Sequence, residues 1–240
     1  MSSKQLKFLF IGAHPDDVEM GAAGTILRLK QSGHWIGIID LTQGEMGSRG
    51  SAETRKAESK EASTFLALDS RDNLNLGDAK IENTENNRAK IAEQIRSHKP
   101  DFVFCNAPKD RHIDHGYAAQ LVLDACFLSG LRKFHNENDI APHRPHNVFH
   151  YIQDYYIEPS FVVNITSVYE EKMKAILCYK TQFFTGSEQP GPQTPISSPE
   201  FLEFFNGRAS QMGRLISKRY GEGFIAHQPI DAEEMNWFDN

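Results

Sequence analysis

The segment His14-Pro15-Asp16-Asp17 places an imidazole and two carboxylates within four positions, directly after the apolar run Leu6-Lys7-Phe8-Leu9-Phe10-Ile11-Gly12-Ala13. Imidazole nitrogen and carboxylate oxygen are natural zinc ligands, and hydrolysis at a metal needs one further carboxylate free as a base. A second cluster, Asp110-Arg111-His112-Ile113-Asp114-His115, follows the apolar residues 101–106 in the same way. Ligands of open α/β sheets bind beyond the carboxyl ends of the strands, so two parallel strands would carry both clusters to one edge. His14, Asp17 and His115 can then supply two imidazoles and a carboxylate, with metal positions left open for water and substrate. Either cluster alone reads as a polar loop with a capping aspartate. Their shared position after buried strands is what favours a site.

The elements that must position these residues alternate in type. Residues 8–13 form a near-continuous apolar run, as in a strand buried on both faces. Residues 18–31 carry Val18, Met20, Ala22, Ala23, Ile26, Leu27 and Leu29 at helical spacing, and Gly33 is placed to close that helix in a left-handed cap. Further strands are expected at 35–41, 73–76, 101–106, 148–156 and 161–165. Helices are expected at 54–68, 83–98, 115–131 and 166–182. Ser198-Pro199-Glu200 marks another helix start. Residues 42–53, 134–145 and 186–198 read as loops, the last because it holds Pro190, Pro192 and Pro195. The order predicts an α/β fold: a Rossmann-like, mostly parallel sheet flanked by helices, with an irregular, loop-rich C-terminal half. Nothing divides residues 1–240, so a single domain is expected.

Composition narrows the function classes. A net charge of −6 without a Lys/Arg stripe argues against a nucleic-acid role. Neither a secretory h-region nor a stretch of membrane-spanning length is present, so a cytoplasmic location is expected. Cys105, Cys126 and Cys178 lack metal-binding spacing and sit among apolar residues, which points to buried reduced thiols. A dinucleotide site would need a Gly-x-Gly-x-x-Gly turn where Gly12-Ala13-His14-Pro15-Asp16-Asp17 stands, and two acids there would repel a pyrophosphate.

Ala13-His14-Pro15-Asp16-Asp17-Val18-Glu19 with Gly21 and Gly24, followed by His112-Ile113-Asp114-His115, resembles the PIG-L/LmbE-like family of zinc-dependent N-acetylglucosaminyl deacetylases. The resemblance continues through Thr42-Gln43-Gly44-Glu45-Met46-Gly47-Ser48 and Thr54-Arg55-Lys56-Ala57-Glu58 to Tyr220-Gly221-Glu222-Gly223-Phe224. Within the family the arrangement is most similar to the branch serving bacillithiol biosynthesis, which removes acetate from N-acetylglucosaminyl-malate. The resemblance implies His14, Asp17 and His115 as zinc ligands and Asp16 as the general base. It implies His112 as an aid at the tetrahedral intermediate, by electrostatics or by protonating the leaving amine, and Arg55 in substrate binding. Relatives assemble into trimers or hexamers, so a homo-oligomer is implied. Some relatives carry an oxyanion-site tyrosine two residues before the His112 position, where this chain has Asp110.

The physical chemistry is consistent with these roles. Zinc lowers the pKa of bound water to about 7, giving a nucleophile at neutral pH. Asp16 can take the water's proton while Asp17 binds metal, and zinc with a protonated His112 can stabilise the oxyanion. Asp110 or Asp114 either orients His112 or caps a surface turn. Arg55 either pairs with a helix neighbour or grips a substrate carboxylate. Glu45 and Arg49 lie in a loop that can reach sugar hydroxyls, and Glu222 is either a turn residue or a site residue. His135, His143, His146 and His150 are too irregularly spaced for a metal tract. Tyr151, Tyr155, Tyr156 and Phe161 read first as strand packing.

The expectation is a Zn²⁺-dependent N-deacetylase, with Fe²⁺ or another divalent ion also fitting the donors, acting on a small amino-sugar substrate. An amidase of bacillithiol S-conjugates and a deacetylase of another glycan use the same chemistry. A non-catalytic metal- or sugar-binding protein would have no need of the spare Asp16.

Overall fold

A computed structural model describes residues 5–134, 138, 140–183 and 191–238. Strands β1 (Lys7–Gly12), β2 (Trp35–Asp40), β3 (Ser70–Asn73), β4 (Phe102–Asn106) and β5 (Asn147–Tyr151) are interleaved with helices α1 (Asp17–Gln31), α2 (Ala52–Phe65), α3 (Glu85–His98) and α4 (Ile113–Ser129). After β5 come β6 (Phe161–Asn164), α5 (Tyr169–Ile176), α6 (Pro199–Leu215) and β7 (Gly221–Ala226). The strands form one sheet in the order β3-β2-β1-β4-β5-β7-β6. Strands β1 to β5 are mutually parallel, whereas β7 runs antiparallel to both β5 and β6.

Alternation along β1 shows how the sheet is buried. Phe8 and Phe10 enter one core layer with Val18, Ala22, Ile26 and Leu29 of α1. Leu9 and Ile11 enter the opposite layer with Ile91 and Ile95 of α3 and Leu121 and Val122 of α4. Strand neighbours point to opposite faces, so an unbroken apolar run is what a strand covered on both sides requires. Helix α1 ends as Gly33 predicts: φ is +80°, Gly33 N–H reaches Lys30 O at 3.0 Å and His34 N–H reaches Leu29 O at 3.1 Å. Cys105, Cys126 and Cys178 are buried free thiols. No helix among the described residues is long and apolar enough to cross a membrane.

Four elements differ from the sequence reading. The strand expected at 148–156 spans only Asn147–Tyr151, and the chain leaves the sheet after it. The strand expected at 73–76 lies at Ser70–Asn73 instead. Its polar residues suit a sheet edge, while Leu74 and Leu76 follow as a loop whose N–H groups bond Asp40 O and Leu41 O. The helix expected at 166–182 is an α-helix only over Tyr169–Ile176, followed by turns in which Cys178 N–H reaches Ala175 O. Strand β7 shows in the sequence only as a glycine-flanked motif. Of the 186–198 loop, residues 186–190 lie outside the described residues, and α6 begins at Pro199 as expected, although Ser198 makes no side-chain cap bond.

Candidate active site

Parallel strands β1 and β4 lie side by side, and the chain leaves β1 toward β2 on one side and β4 toward β5 on the other. This reversal of strand order opens a crevice at their carboxyl ends. Both His/Asp clusters enter it. The cleft there, about 180 Å³, is lined by His14, Asp16, Asp17, Arg55, Asp78, His112 and His115 together with Arg111, Gln153 and Asp154.

The first cluster turns sharply into α1. Asp16 has φ 109°, a left-handed conformation that costs a non-glycine residue on the order of 1–3 kcal/mol. The turn is held because Met20 N–H reaches Asp16 O at 2.9 Å and His14 N–H reaches Asp17 Oδ2 at 2.9 Å. It brings both carboxylates into the cleft. The second cluster starts α4, where His112 is the N-cap and its Nδ1 accepts from Asp114 N–H at 3.3 Å. His115 therefore lies in the first helical turn.

Asp17 stands between two imidazoles. Its Oδ2 is 3.4 Å from His14 Nδ1, and its Oδ1 is 3.2 Å from His115 Nε2. The opposite ring nitrogens meet other carboxylates: His14 Nε2 is 3.0 Å from Asp78 and 3.3 Å from Asp114, and His115 Nδ1 is 2.8 Å from Asp110. Histidines that bind metal characteristically donate their far N–H in this way. One donor atom from each of His14, His112 and His115 also lies within 4.8 Å of the others. The same holds for one donor atom each of His14, Asp78 and Asp114, and nitrogen and oxygen donors of this kind suit a divalent cation.

The electrostatics follow from burial and these pairings. Burial opposes charge on His115, but Asp17 and Asp110 push its pKa up to about 9. His14 is likewise raised against its burial by Asp114, Asp17 and Asp78. Burial pushes Asp17 upward, yet His115 and His14 hold it well below the usual carboxylate range. Asp16 is different: burial raises it to about 7, with Arg55 opposing and Asp17 adding to the rise. The two adjacent aspartates are therefore driven apart in pKa, as separate acid–base roles require. Arg55 donates from Nη2 to Pro15 O and lies 3.2 Å from Asp16 Oδ2. His112 is half-buried, and burial with the neighbouring His14 and His115 lowers its pKa. With Nδ1 accepting, His112 fits the neutral ring protonated at Nε2 and not the imidazolium of the sequence reading.

Several residues sit elsewhere than expected. The carboxylates of Asp110 and Asp114 face His115 and His14, and the His112 ring is met instead by the main-chain N–H of Asp114. Glu45 is exposed and already engaged: its Oε1 accepts from Asp78 N–H at 2.8 Å, and Asp78 in turn accepts from Met46 N–H. Arg49 donates to Thr181 O and Pro192 O, which ties the 43–50 loop to the chain around 181 and 192. Glu222 is buried away from the cleft, pairing with Lys172 at 2.5 Å and accepting from Gly24 and Thr25 N–H groups of α1. Tyr151 and Phe161 pack in the core layer of α1, whereas Tyr155 and Tyr156 are exposed. His143 meets Pro100 O and His150 meets Asn106 O, and His135 lies outside the described residues.

Sequence reasoning missed Asp78, Asn106 and Gln153. Asp78 lies in a loop after β3 with no flanking histidine. Asn106 was visible as the last residue of the 101–106 strand, a position whose side chain emerges at the binding edge. No pattern marked Gln153.

The PIG-L family model, described as GlcNAc-PI de-N-acetylase, matches residues 9–126, which contain both clusters. Diacetylchitobiose deacetylase of Thermococcus kodakarensis is 29% identical over 231 residues, covering 90% of this chain and 81% of that protein. The solved structure of the conserved protein TT1542 from Thermus thermophilus superposes with a TM-score of 0.84 at 35% identity, covering 95% of this chain and 97% of that one. N,N'-diacetylchitobiose deacetylase from Pyrococcus horikoshii, complexed with its inhibitor MPG, gives a TM-score of 0.78 at 28% identity, covering 92% and 83%. The likeness runs through both His/Asp clusters and the sheet that carries them, and the chain belongs to the PIG-L/LmbE-like deacetylase family.

Proposed function

We propose that this chain is a metal-dependent hydrolase that removes the N-acetyl group from an N-acetylglucosaminide. At the finer level the substrate is N-acetylglucosaminyl-malate, in bacillithiol biosynthesis. The observation that carries the deacetylase reading is the pair of adjacent aspartates with opposite characters: Asp17 set between His14 and His115, and Asp16 held near neutrality in the same cleft. His14, Asp17 and His115 would hold the cation, with Zn²⁺ the ion that best suits two imidazoles and a carboxylate. A divalent ion there supplies Lewis acidity, lowering the pKa of water and polarising an amide carbonyl.

The chain's own residues account for the proton transfers. Hydrolysis adds water across the acetamide C–N bond, giving acetate and a free amine. Asp16, with a pKa of about 7, is matched to accept the proton of the attacking water. His112, neutral with its proton at Nε2, can hydrogen-bond the carbonyl oxygen as it gains negative charge. The proton that Asp16 takes from water is the one returned to the departing nitrogen, so Asp16 serves as base and then as acid. Asp110 and Asp114 hold the outer nitrogens of His115 and His14 and fix both rings.

The malate assignment rests on the sequence resemblance. The two archaeal relatives favour a second reading, in which the aglycone is another amino sugar. Acetate release should be measured from N-acetylglucosaminyl-malate, diacetylchitobiose and free N-acetylglucosamine, with and without chelator. Chelator-sensitive release from the malate conjugate in excess of the others is expected. Preference for diacetylchitobiose would replace the substrate, and no chelator-sensitive release from any of the three would remove the deacetylase reading.

A further inference from the structure

We propose that Asn106 and Gln153 are positioning residues of the metal centre, which fix the Asp17 carboxylate for a cation and so set the affinity of the site. The inference rests on the reading of Asp17, with His14 and His115, as a metal ligand.

Asp17 Oδ2 accepts from Asn106 Nδ2 at 3.0 Å, and Oδ1 accepts from Gln153 Nε2 at 2.6 Å. All four residues of this arrangement, Asp17, Asn106, Gln153 and Ala13, are buried. The direction of each amide is determined by its neighbours. Asn106 Oδ1 accepts from Ala13 N–H at 2.8 Å, so Nδ2 is the end turned toward Asp17. Asn106 Nδ2 also reaches Gln153 Oε1 at 3.3 Å, so Gln153 too must present its nitrogen to Asp17. Behind them, His150 Nδ1 donates to the main-chain oxygen of Asn106 at 2.7 Å. The Ala13 N–H thus sets the sense of a chain of bonds that runs from the end of β1, through the last residue of β4, to the segment after β5. Such a chain holds both oxygens of Asp17 from behind.

Amides suit this task for an electrostatic reason. An ammonium or guanidinium at either position would orient Asp17 equally well, but would neutralise it and repel the cation. A neutral N–H orients the carboxylate and leaves its charge for the metal. Loss of such an outer partner typically weakens metal affinity about 10- to 100-fold.

The test uses the full chain stripped of metal. Zn²⁺ dissociation constants are measured by chelator competition for the wild type, Gln153→Met and Asn106→Leu, together with the visible spectrum of the Co²⁺-loaded proteins and the Tm of the metal-free proteins. Asn106→Leu also removes the partner of Ala13 N–H and can fail to fold, so Gln153→Met decides the matter. Its Zn²⁺ dissociation constant is expected to rise about 10- to 100-fold, with altered Co²⁺ absorption. Affinity within about twofold of wild type and an unchanged Co²⁺ spectrum overturn the inference, and a lowered Tm alongside them assigns Gln153 to packing alone. If the wild type binds neither Zn²⁺ nor Co²⁺, the metal reading and this inference fall together. If the wild type binds and Gln153→Met matches it, only this inference falls.

Discussion

Asp16 and Asp17 share a peptide bond yet meet opposite surroundings, and the left-handed turn at Asp16 is what separates them. Asp17 points between two histidines, whereas Asp16 lies beside the Arg55 guanidinium in a buried setting that raises its pKa to about 7. Asp16→Asn keeps the shape and removes the base, so turnover should fall by about 10²- to 10⁴-fold while Zn²⁺ affinity is retained. Unchanged turnover would remove Asp16 from the mechanism. Arg55 acts on Asp16 by charge. As a base Asp16 must be ionised, so activity should fall on the acid side as it protonates, at or below pH 7 because a bound cation also favours the carboxylate. Arg55→Gln removes one of the forces holding that pKa down, and the acid limb of the kcat/KM profile should move to higher pH. A limb that stays in place would show that Arg55 does not tune the base. Much of this site was legible in the sequence because histidine and aspartate declare their chemistry by type. Asp78 and Gln153 were not, since an isolated acid or amide in a loop acquires a role only when the fold sets it against His14 or Asp17.

Helix α1 carries the two aspartates, and its seating depends on an ion pair from distant parts of the chain. Lys172 Nζ reaches Met20 O at 2.8 Å and Glu222 at 2.5 Å, while Glu222 accepts from the N–H groups of Gly24 and Thr25 and from the Thr25 hydroxyl. Gly24 allows that approach, because a Cβ there would meet Ile165 at 2.7 Å and Glu222 at 3.0 Å. The pair therefore clamps α1 to α5 and β7 over the first two turns or so beyond the active-site loop. Lys172→Met leaves the Glu222 carboxylate buried without its partner and should cost about 3–5 kcal/mol in chemical denaturation. Adding Glu222→Gln removes the stranded charge and should recover part of the loss. A single-variant cost under about 1 kcal/mol would mean the pair is not what seats the helix. The sequence could not reveal this clamp. Glu222 between two glycines reads locally as a turn, and its burial comes from β7 pairing antiparallel with β5 and β6. Strands β1, β2, β4 and β5 were legible because their apolar runs reflect burial on both faces. Strand β6 was also expected, at 161–165, and spans Phe161–Asn164, whereas β7 was harder because it is rich in glycine. The slip of β3 has a related cause: Leu74 and Leu76 alternate like strand residues, but they pack from a loop onto the layer of α3 and α4.

Across the whole molecule, the proposed metal site would couple folding to pH in opposite senses with and without its ion. In the metal-free protein His115 has a folded pKa of about 9, above its ordinary 6.5, despite burial, because Asp17 and Asp110 favour the charged ring. A raised histidine stabilises the fold fully below its unfolded pKa, and that contribution is lost as pH rises through about 9. His14 is shifted in the same direction. The metal-free protein should therefore lose stability from near pH 6.5 toward pH 9 on account of these two groups. A metal ligand must be the neutral imidazole, so cation binding at His14 and His115, as proposed, would displace the very protons that stabilise the metal-free form. Binding should tighten over the same interval. At a free Zn²⁺ concentration about 100 times the dissociation constant, the gain in unfolding free energy is about 2.7 kcal/mol. For a chain of this size that is a rise in Tm of roughly 5–11 °C. At a fixed Zn²⁺ concentration the rise should be larger at about pH 8 than at about pH 6.5, and zinc uptake near pH 7 should release protons into a weakly buffered solution. His115→Ala should abolish most of the zinc-dependent shift while leaving a folded chain, since His115 sits at the cleft and not in either core layer. A zinc-dependent Tm shift that is independent of pH, or that survives in His115→Ala, would place the ion somewhere other than between the two clusters.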